Sequence, residues 1–336
     1  MTSYTWTEPG AHEVAAGVYR IPLPMPDDGL RAVNVYALRT DDGLVLVDGG
    51  WAGPEGRNAL VKALAHIGAS PQEIDRFLVT HVHRDHYTLA AMMRREFGAK
   101  VCLGRDERAT LELMRQPERS PIAGQIAKLA ELGAPALADR LAARVGGLRD
   151  VADWEPPDEW LDEGRILLPG GRELQAVHTP GHTAGHLVFH DIANGLLFAG
   201  DHVLPVITPS IGLEASLSGD PLSAFLRSLA AIRARPDALL LSAHGPVAPS
   251  THARIDELVD HHGARLDEIH RLATAGAETP ADIAEAMRWT RRGLRWSELD
   301  PFSAMMAVFE TTAHLTLLIA QGRLSMTMRD GVRHYH

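Results

Sequence analysis

Apolar and polar positions alternate with a period of two through the first fifty residues. Val18-Tyr19-Arg20-Ile21, the run 33–38 and the run 44–47 carry that period, with Asp41-Asp42-Gly43 as a turn between the last two. The pattern predicts an antiparallel β opening over residues 14–50. Residues 22–28, with Pro24 and Pro26, read as a Pro-rich loop. From residue 54 the period lengthens. Leu60, Val61, Leu64 and Ile67 mark a helix that stops at Gly68. Ser70-Pro71-Gln72-Glu73 has the form of an N-cap with Pro at the first helical position. Arg76-Phe77-Leu78-Val79-Thr80 is a short buried strand, followed by a tight loop and a helix starting near Asp85 that carries residues 89–97. Residues 100–103 are a further strand. Hairpins followed by alternating strands and helices predict helices covering the outer faces of stacked sheets.

The pattern changes over residues 105–160. Segments 107–114, 122–132 and 135–145 are helical and rich in Ala and Leu. They read as an insertion that shapes a substrate pocket. Trp154, Pro156, Pro157 and Trp160 either line that pocket or plug the core. Strands return at 174–177, 195–200 and 238–244. Beyond them lie a helix at 251–275 bearing His261, His262 and Arg265, a second helix capped by Thr279, and a third at 301–321. A hairpin around Asp330-Gly331 follows. The division expected is a catalytic part over 1–250 and a C-terminal helical part over 251–336.

The chain has 336 residues, 45% hydrophobic and 23% charged, with a net charge of −10. This is the composition of a globular protein, and the acidic balance argues against nucleic acid as its main partner. Its one cysteine, Cys102, sits in an apolar run and reads as a core thiol, so no disulfide within the chain can form. Residues 1–13 lack the basic start and apolar stretch of a signal peptide, and no membrane-spanning run stands out. A cytoplasmic location is expected.

The candidate chemistry lies at strand ends. His81-Val82-His83-Arg84-Asp85-His86 packs three histidines and a carboxylate into six residues. Imidazole and carboxylate suit zinc-like divalent ions. The loop can aim His81 and His83 at one ion and Asp85 and His86 at a second. His182, between small-residue turns, can complete a three-histidine set with His81 and His83. Its neighbours His178 and His186 read as supporting or structural groups; a supporting partner fixes a ligand's tautomer. Asp201, after the strand at 195–200, can bridge two ions. His202 points away from it by strand alternation. His244 ends a fourth strand. Asp48, also at a strand end, is from spacing alone either a turn aspartate or a site residue.

His81-x-His83-x-Asp85-His86, the His182 motif, Gly200-Asp201 and His244-Gly245 together resemble the metallo-β-lactamase superfamily in order and spacing, over about residues 14–250. The resemblance implies an αββα sandwich with the site at one edge of the two sheets. It implies one zinc on His81, His83 and His182, another on Asp85, His86 and His244, and Asp201 between them; manganese or iron could replace zinc. Asp48 matches the family's supporting aspartate. Histidine rather than glutamate at position 83 resembles hydrolytic rather than diiron redox members. The tail resembles the winged-helix-like end of the subgroup related to lactamase-β-like protein 2 and thioesterase-like hydrolases. The expected function is a dinuclear zinc hydrolase in which a metal-bridging hydroxide attacks a carboxylic thioester or ester and Asp85 orients it. A lactonase, a single-strand RNA nuclease and a non-catalytic, ligand-sensing DNA-binding protein are the alternatives. The expected partner is a small acyl thioester or ester, with no membrane, no principal nucleic-acid partner and homodimerisation open.

Overall fold

The computed structural model describes residues 4–26, 29–214 and 219–336. The N-terminal signal-peptide question therefore rests partly on residues 1–3, which lie outside the described residues, as do Asp27 and Asp28 of the expected Pro-rich loop.

Seven strands form the first sheet, hydrogen-bonded in chain order: β1 (His12–Ala15), β2 (Val18–Pro24), β3 (Ala32–Thr40), β4 (Gly43–Val47), β5 (Ile74–Val79), β6 (Lys100–Gly104) and β7 (Glu159–Leu161). β1 to β4 run antiparallel, and β4 to β7 run parallel. The parallel half requires crossovers. These are α1 (Pro54–His66), α2 (Arg84–Phe97) and the insertion, with α3 (Arg108–Met114), α4 (Ala123–Leu129) and α5 (Pro135–Ala142). The second sheet has the order β12-β11-β10-β9-β8, built from β8 (Gly164–Leu167), β9 (Glu173–His178), β10 (Leu187–Asp191), β11 (Leu196–Gly200) and β12 (Leu239–Ser242). α6 (Pro221–Arg233) lies between β11 and β12, α7 (Thr251–Thr274), α8 (Pro280–Ala286) and α9 (Pro301–Ala320) follow β12, and β13 (Met326–Arg329) pairs with β14 (Val332–Tyr335) as a hairpin.

Strand alternation sorts the core into layers. On β3 and β4, Val35, Ala37, Leu44 and Leu46 pack outward against Leu60 and Leu64 of α1 and Leu89 and Met93 of α2. Their neighbours Tyr36, Leu38, Val45 and Val47 pack inward against Leu174, Phe189, Phe198 and Leu241 of the second sheet. On the far side, Val188, Leu197 and Leu240 meet Phe225 and Leu229 of α6, Leu258 of α7 and Val308 of α9. The result is the expected helix–sheet–sheet–helix sandwich.

Several expectations are refined. β2 runs on to Pro24, so the first three residues of the anticipated loop, Pro22 to Pro24, are strand. Ser70 opens only a 3-10 turn with a capping box before β5 begins. Trp154 plugs the core, stacked on Tyr87 with ring centroids 6.3 Å apart. The sequence reading passed over β10 and α6. It also passed over α9 as a segment long and apolar enough to cross a membrane. Its apolar side chains instead fill the same core as α6 and α7. The C-terminal helices and α5 share that core, so residues 251–336 pack as part of the sandwich's outer layer.

Candidate metal centre

The candidate ligands sit just beyond a strand's C-terminal end, in the loop that follows or, for Asp85 and His86, in the first turn of α2. β5 delivers His81, His83, Asp85 and His86; the β9–β10 loop delivers His182; β11 delivers Asp201; and β12 delivers His244. The first group hangs from one sheet and the other three from its partner sheet. Close backbone approach makes the convergence workable. A Cβ on Gly104 would lie 2.1 Å from the Gly185 carbonyl, and one on Gly200, which has φ 49°, would lie 2.6 Å from Thr80 Oγ1. Only glycine fits both positions without displacement.

The donors fall into two sets. Atoms of His81, His83, His182 and Asp201 lie within 4.8 Å of one another, and so do those of Asp85, His86 and His244. Asp201 reaches both. Its Oδ2 is 3.5 Å from His182 Nε2, and its Oδ1 is 3.4 Å from His244 Nε2 and 3.7 Å from His86 Nε2. Asp85 Oδ2 lies 3.2 Å from His244 Nε2.

Neighbouring groups aim the rings. Asp48 accepts from His86 Nδ1 at 2.9 Å and from the Thr80 amide at 2.7 Å, and Thr80 Oγ1 donates to the same carboxylate. His182 Nδ1 donates to the Ser210 carbonyl at 2.8 Å, and His244 Nδ1 to the Ala32 carbonyl at 2.9 Å. His81 Nδ1 meets Thr80 Oγ1 at 3.1 Å. This network assigns a proton to each Nδ1 and leaves each Nε2 as a lone pair facing inward. His81 Nε2 and His182 Nε2 then sit 2.9 and 3.1 Å from His83 Nδ1. One ring proton cannot satisfy two lone pairs. Among the described residues, buried His86 Nε2, His244 Nε2 and Asp201 Oδ1 have no hydrogen-bond partner. Crowded lone pairs and orphaned buried acceptors are what a divalent cation relieves, so the donor set fits such an ion.

The electrostatics divide in the same way. Burial, reinforced by the neighbouring histidines, holds His81 well below its ordinary pKa and His83 at about 3. For His86, burial opposes protonation, but Asp48, Asp85 and Asp201 outweigh it and raise the ring well above the ordinary value. His244 is raised against its burial by Asp201 and Asp85. Asp85 is held well below the usual carboxylate range despite burial, chiefly by His86 and His244.

Among the expected supporting residues, His186 accepts from the Asp201 amide through Nε2 at 3.2 Å and stacks on His81 at 5.0 Å. His178 differs: among the described residues it touches no member of the cluster. Its Nε2 donates to the Ala184 carbonyl at 2.7 Å, bracing the loop that carries His182. His202 lies outside the cluster, edge-on to Phe225 at 5.2 Å, with burial lowering it to about 3.

Sequence reasoning missed two residues. Thr80 is the hub between Asp48 and His81; a polar residue closing a buried strand was its only signal. Glu107 is fully buried, accepts from Thr183 Oγ1 and from the amides of Val82 and Gly185, and so ties both histidine loops together. Burial pushes its carboxyl up to about 8. A glutamate at the head of an Ala- and Leu-rich helix gives no sequence signal of that role.

The sequence profile of the Metallo-beta-lactamase superfamily matches residues 28–244. A beta-lactamase domain protein from Burkholderia ambifaria, solved by crystallography, is 27% identical and superposes with a TM-score of 0.81, covering 99% of this chain and 97% of that one. The probable metallo-hydrolase YqjP of Bacillus subtilis is 23% identical over 318 residues, 90% of this chain and 91% of that protein. A shorter match, 25% identical over 184 residues, joins 52% of this chain to 53% of the atrochrysone carboxyl ACP thioesterase AgnL7 of Paecilomyces divaricatus, so the chain spans about half of that relative.

Proposed function

This chain belongs to the metallo-beta-lactamase superfamily, and from that premise we propose that it hydrolyses small acyl thioesters or esters. The observation that carries the reading is the pair of donor sets sharing Asp201. His81, His83 and His182 would hold one divalent ion, Asp85, His86 and His244 a second, with Asp201 between them, and zinc suits the nitrogen-rich set. Ions so held supply Lewis acidity and bring water near neutral ionisation.

The chain's own residues do the rest. Asp48 and the Ser210 and Ala32 carbonyls fix the imidazoles. Asp85, kept ionised in the cluster, orients the attacking water and takes its proton. The water oxygen bonds to the carbonyl carbon, the carbon–sulfur bond breaks, and the proton passes to the departing thiolate. A carboxylic acid and a thiol result, with atoms balanced. The insertion lies beside this site: Gln125 donates to the Leu213 carbonyl and Thr110 to Glu214, on the segment that presents Ser210 to His182. It shapes the acyl pocket in this proposal, and the winged-helix-like segment 251–336 closes it, in a cytoplasmic enzyme.

The thioesterase relative supports the choice of substrate class. The test is elemental analysis of the purified protein beside a panel of acyl thioesters, simple esters and lactones. Near-stoichiometric metal and turnover of thioesters at least about tenfold more efficient than of lactones is the expected result. Preference for lactones by the same margin, or metal-loaded protein inert towards all three, would overturn it.

A further inference from the structure

Strand alternation turns Asn34 of β3 inward, on the face of Tyr36, while its neighbours Val33 and Val35 pack outward. An inward position between two sheets suits an apolar side chain, yet this one is an amide and it is completely buried. A buried amide is tolerated when its donors and its acceptor are paired. Here all of them are, and most of the partners lie at one place. The Asn34 backbone N–H donates to the Ala243 carbonyl at 2.7 Å, and Nδ2 donates to the Gly245 carbonyl at 2.9 Å and to the Ser242 carbonyl at 3.1 Å. One residue of the first sheet thus grips the turn beyond β12 on both sides of His244.

Two neighbours complete the grip. Tyr36 OH donates to the Ser242 carbonyl at 2.8 Å. Arg20 of β2, itself buried, donates through Nη1 to Asn34 Oδ1 at 3.0 Å and to the Trp6 carbonyl. A guanidinium only donates, so it fixes which end of the amide is oxygen and turns both Nδ2 hydrogens towards the carbonyls. Rotated by half a turn, the amide would set Oδ1 against two carbonyl oxygens and Nδ2 against a cation. The turn itself can be built only with glycine at its end: Gly245 has φ 106°, and a Cβ there would lie 2.8 Å from Pro205 Cγ.

His244 is where the grip matters. It comes from the second sheet, whereas Asp85 and His86, the other members of its donor set, follow β5 of the first. Its Nε2 meets Asp85 Oδ2 at 3.2 Å across the seam, and Asp201 Oδ1 at 3.4 Å. None of the bonds made by Asn34 or Arg20 touches His81, His83 or His182. We infer that Asn34, its amide oriented by Arg20, is a positioning residue for the metal centre: it holds the His244 turn in register with the opposite sheet and so sets the metal affinity of the Asp85–His86–His244 set. The inference rests on the paired donor sets of the proposed function and not on its choice of substrate.

The test uses the full-length, zinc-loaded protein and reads each equivalent of metal by competition with a chromophoric chelator. His244→Ala, which removes a donor from the second set, marks which equivalent is which. Asn34→Asp keeps the shape of the side chain and the bond from Arg20, but aims an oxygen, in place of Nδ2, at two carbonyls. It should weaken the second set by about 10- to 100-fold and leave the first within about twofold of wild type. Arg20→Met should act in the same direction, and Arg20→Lys, which still donates to Oδ1, should recover part of the loss. Equal weakening of both sets, no weakening of either, or a Lys variant no better than Met overturns the inference. A lowered Tm of the metal-free protein without the selective loss marks a purely structural role and overturns it as well. Should Asn34→Asp fail to fold, the two Arg20 variants decide by the same readout. Should no acyl substrate be turned over, the hydrolase reading alone fails, because chelator competition needs no substrate. Should the wild type bind fewer than two ions, the paired-set reading fails by itself, and crystal structures of wild type and Asn34→Asp decide: a His244 Nε2 displaced relative to Asp201 by about 1 Å or more sustains the positioning, and superimposable turns sink it.

Discussion

At the scale of single residues, the centre is governed by which ring nitrogen carries the proton. Asp48 sets this for His86, from a left-handed backbone position (φ 62°) that aspartate tolerates better than most residues. Asp48→Ala should therefore weaken metal binding to the Asp85–His86–His244 set by about 10- to 100-fold while leaving the other set loaded. Competition against a chromophoric chelator reads both, and uniform loss from both sets would refute the separate roles. Acidity offers a second test. Burial keeps His81 and His83 neutral near pH 7, so they give up no proton to a cation, whereas the carboxylates around His86 and His244 raise those rings, so that a second ring proton competes with the cation there as pH falls. Affinity of the second set should fall by up to about tenfold per displaced proton for each unit of acidification. Metal content followed from pH 8 to pH 5 should show that set emptying first.

At the scale of elements, strand ends position the ligands and glycines let those ends meet. Gly200→Ala would place a methyl 2.6 Å from Thr80 Oγ1 and 2.8 Å from His186 Nε2, in a left-handed conformation. A cost of about 1–3 kcal/mol from backbone strain alone is expected, with lowered Tm and lost metal; unchanged Tm and full loading would contradict the packing described. Between α7 and α9, His262 Nδ1 donates to His314 Nε2 at 3.1 Å, because His314 Nδ1 is committed to the Glu310 carbonyl at 2.8 Å. Burial lowers these rings to about 2 and about 4. The unfolded chain binds protons at both near pH 6.5, so this pair's stability is complete above that pH and is lost as pH falls towards 4. Replacing both, His262→Leu with His314→Met, should flatten the acid limb of a Tm-against-pH curve. An unaltered limb would show that other groups govern it.

The ligand-bearing strands were legible from sequence because each is an apolar run stopped by a histidine or aspartate, and spacing alone separates ligands from filler at His202. The supporting shell was less legible. Ser210 and Ala32 act through backbone carbonyls, which no side chain announces, and Glu107 matters only because folding buries it beneath two loops. His178 was grouped with His186, yet a turn separates their roles. α6 went unnoticed although Asp220 caps it and Leu222, Phe225, Leu229 and Ile232 follow a helical period.

At the scale of the whole molecule, the outer helical layer draws on the insertion in mid-chain as well as on the C-terminal third. Leu137 and Leu141 of α5, Phe225 of α6, Leu258 of α7 and Val308 of α9 share one core. A chain ending at residue 250 would leave that apolar face bare, so it should be insoluble or fail to melt cooperatively. A monomeric, cooperatively folding truncation would show that the C-terminal helices are dispensable for the sandwich.

The split origin of the ligands has a further consequence. One sheet supplies His81, His83, Asp85 and His86, and the other supplies His182, Asp201 and His244. Cations seated between them would act as rivets through the sandwich, so that binding energy becomes resistance to prying the two halves apart. Starved of metal, the protein would be softened along this seam as well as silenced, and the mineral supply of its surroundings would be written into how long each copy survives.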